Sequence, residues 1–305
     1  MLTQEQFDNF VNQLKDDNLH YLLIKQDNQV FRHAFNDKTT PSDVRSIAKT
    51  VLALFCGMVI DKHHDFNIDT LVWPFLEPIV NLRNQDNLFY LKQLKIKHLL
   101  NHTIGFDQVL LMRNDIKELD PYSLVDLVVN TPITYHPGSH YLYSNAGFYL
   151  LAIVLERYLK QDLLTVIQHQ LFDPLDIKDF HWQHYGHYLA GATKLFLMPE
   201  DLLKIGEVLL NNDQSLVSSD WIQFLKKITV LTPKNDTPTH QYFRRYGYGS
   251  GMWVNHQDLY FGHGTDGQTL VMIPDKKAII ITMAQQRNVK HLESVIDQII
   301  SALYQ

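Results

Sequence analysis

Ser46 and Lys49 stand three residues apart in the string Ser46-Ile47-Ala48-Lys49, at the head of an apolar run that continues to Ile60. Positions i and i+3 share one face of a helix, so the lysine amine can be held beside the serine hydroxyl. A serine at a helix start also has unpaired backbone N–H groups and the positive end of the helix dipole close by. A nucleophilic serine needs that arrangement: a base within reach and donors for the oxyanion it creates. The blander reading of the same four residues is a helix cap followed by a solvated lysine.

Two downstream groups could complete such a site. Tyr143-Ser144-Asn145 follows the turn dipeptide Pro137-Gly138 and precedes the apolar run Phe148–Leu155. A tyrosine and an asparagine on a loop before a helix can face one cleft. The phenol passes protons, and the amide orients the lysine or a substrate carbonyl. Read blandly, they are a core tyrosine and a helix cap. Gly262-His263-Gly264-Thr265-Asp266-Gly267 lies between the alternating stretch Gln257–Phe261 and the apolar run Thr269–Pro274. Glycines at a strand end admit another backbone, such as a substrate laid along the strand. Asp266-Gly267 is equally a good hairpin turn.

Hydrophobic periodicity gives the elements that must position these groups. Residues 1–18 read as an amphipathic helix, and His20–Lys25 and Gln29–Phe35 as a hairpin around Gln26-Asp27-Asn28. Helical periodicity dominates 45–236, interrupted at prolines 74, 78, 132, 137, 174 and 199. Strands are predicted at 248–254, 258–263, 268–273 and 277–284, then a closing helix at 291–303. Strands at both ends of a helical middle imply an α+β fold, with one antiparallel sheet built from both chain ends, flanked by helices, and an inserted helical lobe. The expected organisation is one catalytic unit over 1–305, with a discontinuous α/β lobe about 1–60 and 240–305 and a helical lobe about 61–239. A ligand belongs in the cleft between lobes.

The chain of 305 residues, 45% hydrophobic and 20% charged, is long enough for one sizeable core. A formal charge of −6 gives no basic footprint for nucleic acid. The single cysteine, Cys56, excludes an internal disulfide and reads as a small core residue. No apolar stretch approaches the ~18 residues of a spanning helix. Met1–Asp8 carry neither the basic nor the apolar segment of a secretory signal, so a cytoplasmic location is expected. His181, His184 and His187 repeat at spacing three and could meet zinc, but no HExxH or cysteine pair accompanies them. A His- and Tyr-rich surface loop is the reading preferred, with no metal and no cofactor. No heptad or apolar seam marks an oligomer.

With its three groups in this order, the chain resembles the serine β-lactamase and penicillin-binding-protein superfamily. The resemblance is to the branch that holds class C β-lactamases, D-alanyl-D-alanine peptidases and related carboxylesterases. It extends through Ile96–Phe106, Leu171–Ile177 and Ala190–Thr193 with Met198–Leu203, from about residue 20 to the end. The resemblance implies the β-lactamase/transpeptidase-like fold, with Ser46 as acyl-accepting nucleophile, Lys49 as its base and Tyr143 as proton shuttle. Asn145 would hold Lys49 or the substrate. His98 and His102 belong to a segment that is structural by resemblance.

His263 occupies the slot of the lysine in the family's Lys-Thr-Gly strand motif, and Gly264 and Thr265 take its second and third positions. Losing the lysine removes a fixed charge for a substrate carboxylate. A side chain at Thr265 crowds the strand where an amide would pair. Both changes argue toward an ester with no carboxylate to anchor, and away from a β-lactam or peptide. The strand N–H of the oxyanion hole is that of Asp266 by family register, or that of Thr265 after a one-residue slip. The partner expected is a small-molecule ester or amide. The competing readings are a D-alanyl-D-alanine carboxypeptidase, D-aminopeptidase or β-lactamase, and a catalytically silent penicillin-binding-like module.

Overall fold

The computed structural model describes residues 1–211, 215–255 and 257–305; positions 212–214, within the stretch read as the helical lobe, and 256 lie outside the described residues. The main sheet has eight strands: β1 (Leu19–Gln26), β2 (Gln29–Ala34), β3 (Val230–Leu231), β4 (Gly247–Tyr248), β5 (Trp253–Val254), β6 (Tyr260–His263), β7 (Thr269–Ile273) and β8 (Ala278–Ala284). Their order is β2-β1-β8-β7-β6-β5-β4-β3, antiparallel throughout, so both chain ends meet in the sheet as expected. The first hairpin turns through Asp27 at φ 50°, a left-handed position that Asp tolerates.

Strand alternation sorts the sheet residues into two cores. Leu23, Tyr260, Leu270, Met272, Ile279 and Ile281 face the core that holds the helix α2 (Ile47–Lys62). Leu22, Ile24, Phe261, Val271, Ile273 and Ile280 face the other core. Two terminal helices, α1 (Gln4–Leu14) and Lys290–Tyr304, close that second face. The first begins at Thr3, where a capping box with Gln6 fixes its start later than the pattern predicts. The apolar run after Ser46 makes α2 buried at every position from Ile47 to Val59, including Cys56. Two further helices matter below: Ala146–Leu159 packs on α2, and Pro199–Asn211 lies across β7 and β8.

Two expectations change. The stretch 248–254 is two strands joined by a tight turn. A Cβ at Gly249 would stand 2.1 Å from Leu225 O, and Gly251 has φ +81°, so this Gly-Ser-Gly bends the chain where a strand would run on. The helical middle also contains β structure. Leu195–Leu197 and His181–Trp182 form a small sheet with Ser42–Asp43 from just before it, and His184–Tyr185 pairs with Tyr188–Leu189 in a hairpin. The three spaced histidines are exposed along this β structure. Among the described residues no group of three or more His, Cys, Asp or Glu is placed to hold a metal ion. Among the described residues no helix is long and apolar enough to cross a membrane.

Candidate active site

Ser46 sits at the N-cap of α2, yet its side chain makes no capping bond. Its hydroxyl is free for another partner, and Lys49 Nζ lies 3.1 Å from Ser46 Oγ. The residue before it, Arg45, adopts φ 54°. For a long side chain that is strained backbone, and the surroundings hold it there. Arg45 N–H donates to Asp43 Oδ1 at 2.8 Å, and its guanidinium bonds Asp43 Oδ2 and Asp266 Oδ2, both at 2.9 Å.

Lys49 is not solvated: only 1% of it is exposed. Its amine donates to Asn145 Oδ1 at 2.8 Å and to Ala192 O at 3.1 Å. No carboxylate bonds it, and burial alone brings its pKa down to about 7. Asn145 precedes the helix Ala146–Leu159 without capping it. Its Nδ2 donates to Leu111 O at 2.7 Å, which fixes the oxygen toward Lys49 rather than toward a substrate. Ser144 pins the same loop through Leu110, donating to its carbonyl at 2.9 Å and accepting from its N–H at 3.0 Å.

Tyr143 stacks on Trp253, with centroids 5.4 Å apart and planes at 18°, and Lys49 Nζ lies 5.0 Å from its ring centre. Burial pushes the phenol up to about 12, against the opposing influence of the Ser46 hydroxyl and the Arg245 guanidinium. His102 packs beneath it at 4.4 Å and bonds Tyr248 Oη at 3.1 Å through Nε2. His98 accepts from Lys95 N–H at 3.2 Å, and burial lowers it to about 4.

The glycine-rich string closes the β6–β7 hairpin, with Gly264 N–H donating to Gln268 O at 2.8 Å and Gly267 at φ +96°. Gly262 is approached by α2, since a Cβ there would stand 2.9 Å from Thr50 Oγ1. A Cβ at Gly264 would meet Gln268 Oε1 at 2.3 Å and Arg45 Cβ at 2.9 Å. Close approach at these glycines is thus made by the protein's own helix and side chains. Thr265 reaches the cavity beside Ser46. Asp266 N–H donates to Gln268 Oε1 at 3.3 Å, whereas the N–H groups of Ser46 and Thr265 have no partner among the described residues.

The side chains of His263 and Asp266 point elsewhere. His263 Nε2 is 3.0 Å from Glu293 Oε1 and 3.1 Å from Arg245 Nη2, and Arg245 in turn bonds Glu293. Burial lowers His263, opposed by Glu293. Burial would raise Glu293, but His263 and Arg245 together bring it to about 2. Asp266 Oδ2 takes Arg45 and also Arg113 Nη2, at 2.6 Å.

Sequence reasoning missed Arg245, Glu293, Ala192 and Arg113. Glu293 carried a signal, as an acid among the buried positions of an apolar helix face. Ala192 acts through its carbonyl, which no side-chain pattern reveals.

A cavity of about 270 Å³ opens beside Ser46, walled also by Met112, Ile116, Asn145 and Thr193. A profile of the Beta-lactamase family matches residues 8–303. The chain is 20% identical over 247 residues to a penicillin-binding protein of Bacillus subtilis (strain 168), covering 66% of this chain and 53% of that protein. It therefore spans about half the length of the curated relative that it matches. A penicillin binding protein from Bacillus halodurans superposes with a TM-score of 0.75 at 18% identity, over 96% of this chain and 99% of the other. EstCE1, a hydrolase with promiscuous acyltransferase activity, gives 0.75 at 15% identity, over 99% and 98%. Sequence profile and fold agree over nearly the whole length, and the chain belongs to the Beta-lactamase family of serine hydrolases.

Proposed function

We propose that the protein is an esterase working through an acyl-enzyme on Ser46. The partners of Lys49 Nζ carry this reading. A neutral amine has two N–H groups and one lone pair. Asn145 Oδ1 and Ala192 O accept the two N–H groups, so the lone pair is left for the remaining neighbour, Ser46 Oγ. With a pKa of about 7, roughly half of the amine is neutral at pH 7.

Ser46 Oγ attacks the ester carbonyl as its proton passes to Lys49. The oxyanion accepts from the Ser46 and Thr265 N–H groups, which have no other partner among the described residues. The bond to the alcohol breaks, and the alkoxide takes a proton from Tyr143. The proton held by Lys49 restores Tyr143. Water then repeats the transfers in the opposite direction and releases the acid. General-base help is worth about 10²–10⁴ in rate, and an oxyanion donor about 10²–10³. Esters are favoured over β-lactams and peptides because position 263 offers no cation of its own and Thr265 crowds the strand where an amide would pair.

Turnover of p-nitrophenyl acetate and butyrate beside nitrocefin, by wild type and Ser46→Ala, tests this. Ester hydrolysis that disappears in a folded Ser46→Ala supports the proposal. Nitrocefin turnover would replace it with the β-lactamase reading. Silence on all three would leave a binding module.

A further inference from the structure

The cavity beside Ser46 has four cationic side chains in its wall, Arg45, Arg113, Lys117 and Lys194, and no acidic one. They come from three segments: the residue before the nucleophile, the loop after Leu111 and the stretch after Thr193. Arg45 is matched by Asp43 and Asp266, and Arg113 shares Asp266. Lys117 and Lys194 have no acidic partner among the described residues. The loop's own acids, Asp115 and Glu118, lie outside the wall, with Asp115 Oδ2 accepting from Met112 N–H at 3.1 Å. Between the cations run the apolar side chains of Met112 and Ile116. The wall also holds Tyr185, whose buried hydroxyl has no hydrogen-bond partner among the described residues.

Tyr143 is absent from this wall, although Ser46, Asn145 and Thr265 belong to it. An alkoxide must leave beside its proton donor, so the alcohol lies on the Tyr143 side and the acyl chain extends into the cavity. The charge missing at position 263 concerns the leaving-group side, where Arg245 neighbours Tyr143. The unmatched cations line the cavity, and neither Tyr143 nor Arg245 does.

We infer that the preferred acyl group is a short hydrocarbon chain ending in a carboxylate, so that the substrates are half-esters of dicarboxylic acids. The chain lies along Met112 and Ile116, and the carboxylate sits between Lys117 and Lys194. This rests on Ser46 being the nucleophile proposed above.

The test compares mono-p-nitrophenyl adipate with its neutral methyl ester, which share the adipoyl chain and the leaving group and differ at the far end by a charge and one methyl. The anionic ester should have a kcat/KM higher by about fivefold at low salt, and the ratio should shrink as salt rises. Lys117→Met/Lys194→Met should bring the ratio toward one. A ratio of one or less in wild type, or one that the double variant leaves unchanged, overturns the inference. So does an anion preference found only on the leaving side, read with 4-acetoxybenzoate against its methyl ester. Equal cleavage of both adipates defeats this inference alone. Cleavage of neither, or cleavage that survives Ser46→Ala, defeats the acyl-enzyme reading as well.

Discussion

Asn145 Oδ1 accepts a hydrogen bond from Lys49 Nζ at 2.8 Å across a sequence separation of 96 residues. The amine is thereby held by an uncharged oxygen, and nothing offsets the effect of burial on its ionisation. A carboxylate in the same place would favour the ammonium form. Asn145→Asp should therefore move the rising limb of the kcat/KM profile from about pH 7 upward by about one pH unit or more, and lower the rate at pH 7 about tenfold. A limb that stays near pH 7 would remove Lys49 as the base.

Lys49 also weakens the fold that holds it. The unfolded chain keeps this proton up to the ordinary lysine value of about 10.4, whereas the folded chain gives it up near 7. Between those values the unfolded state binds more protons, so this group's contribution to stability rises with pH. Lys49→Met should be inactive and should gain stability relative to wild type at pH 7. That advantage should narrow toward pH 10 in denaturant titrations. A difference that does not vary with pH would contradict the buried, discharged amine.

Tyr143 holds its proton at neutral pH, since burial takes the phenol up to about 12. Tyr143→Phe should slow acylation by about 10²–10⁴ with alkyl esters, whose alkoxides need a proton to leave. With p-nitrophenyl esters the loss in kcat/KM, which reports acylation alone, should be much smaller, because nitrophenolate departs unprotonated. Equal losses on both substrate types would assign Tyr143 a structural role.

Glu293 binds Arg245 and His263 at the far side of β6, and it titrates near 2 against an ordinary value of 4.5. A depressed carboxyl stabilises above its unfolded pKa and loses that contribution as pH falls through the folded one. Wild type should lose the stability this group contributes as pH falls from about 4.5 through 2. In Glu293→Gln that part of the acid dependence should be missing. The variant should also be less stable at pH 7, because Arg245 loses its buried counter-ion. Acid curves of identical shape would show the triad to be inert.

The residues of the candidate site are legible in the sequence because the reading rests on side chains at fixed local spacing. Ser46 and Lys49 share a helix face, and Tyr143 and Asn145 share a loop. The terminal hairpin and the alternating strands are legible for the same reason, since period two is visible in the residues themselves. What stays hidden depends on distant backbone or on pairing across the fold. Ala192 gives a carbonyl, and Arg245 meets Glu293 only once the last helix lies against β6. The turn at Gly249–Gly251 had a readable cue in its Gly-Ser-Gly string, which outweighs the apolar residues on either side.

The burial of α2 from Ile47 to Val59 separates two clocks in this molecule. Amides in that helix should exchange with solvent only through opening of the whole core, while the exposed segment around Arg113 and Lys117 has little packing to slow it. The parts proposed to make and break the bond should relax slowly, and those proposed to hold the acyl chain should relax fast. Selection acting on the fast part can alter which molecules are accepted while the pairing of Ser46 with Lys49 is inherited unchanged.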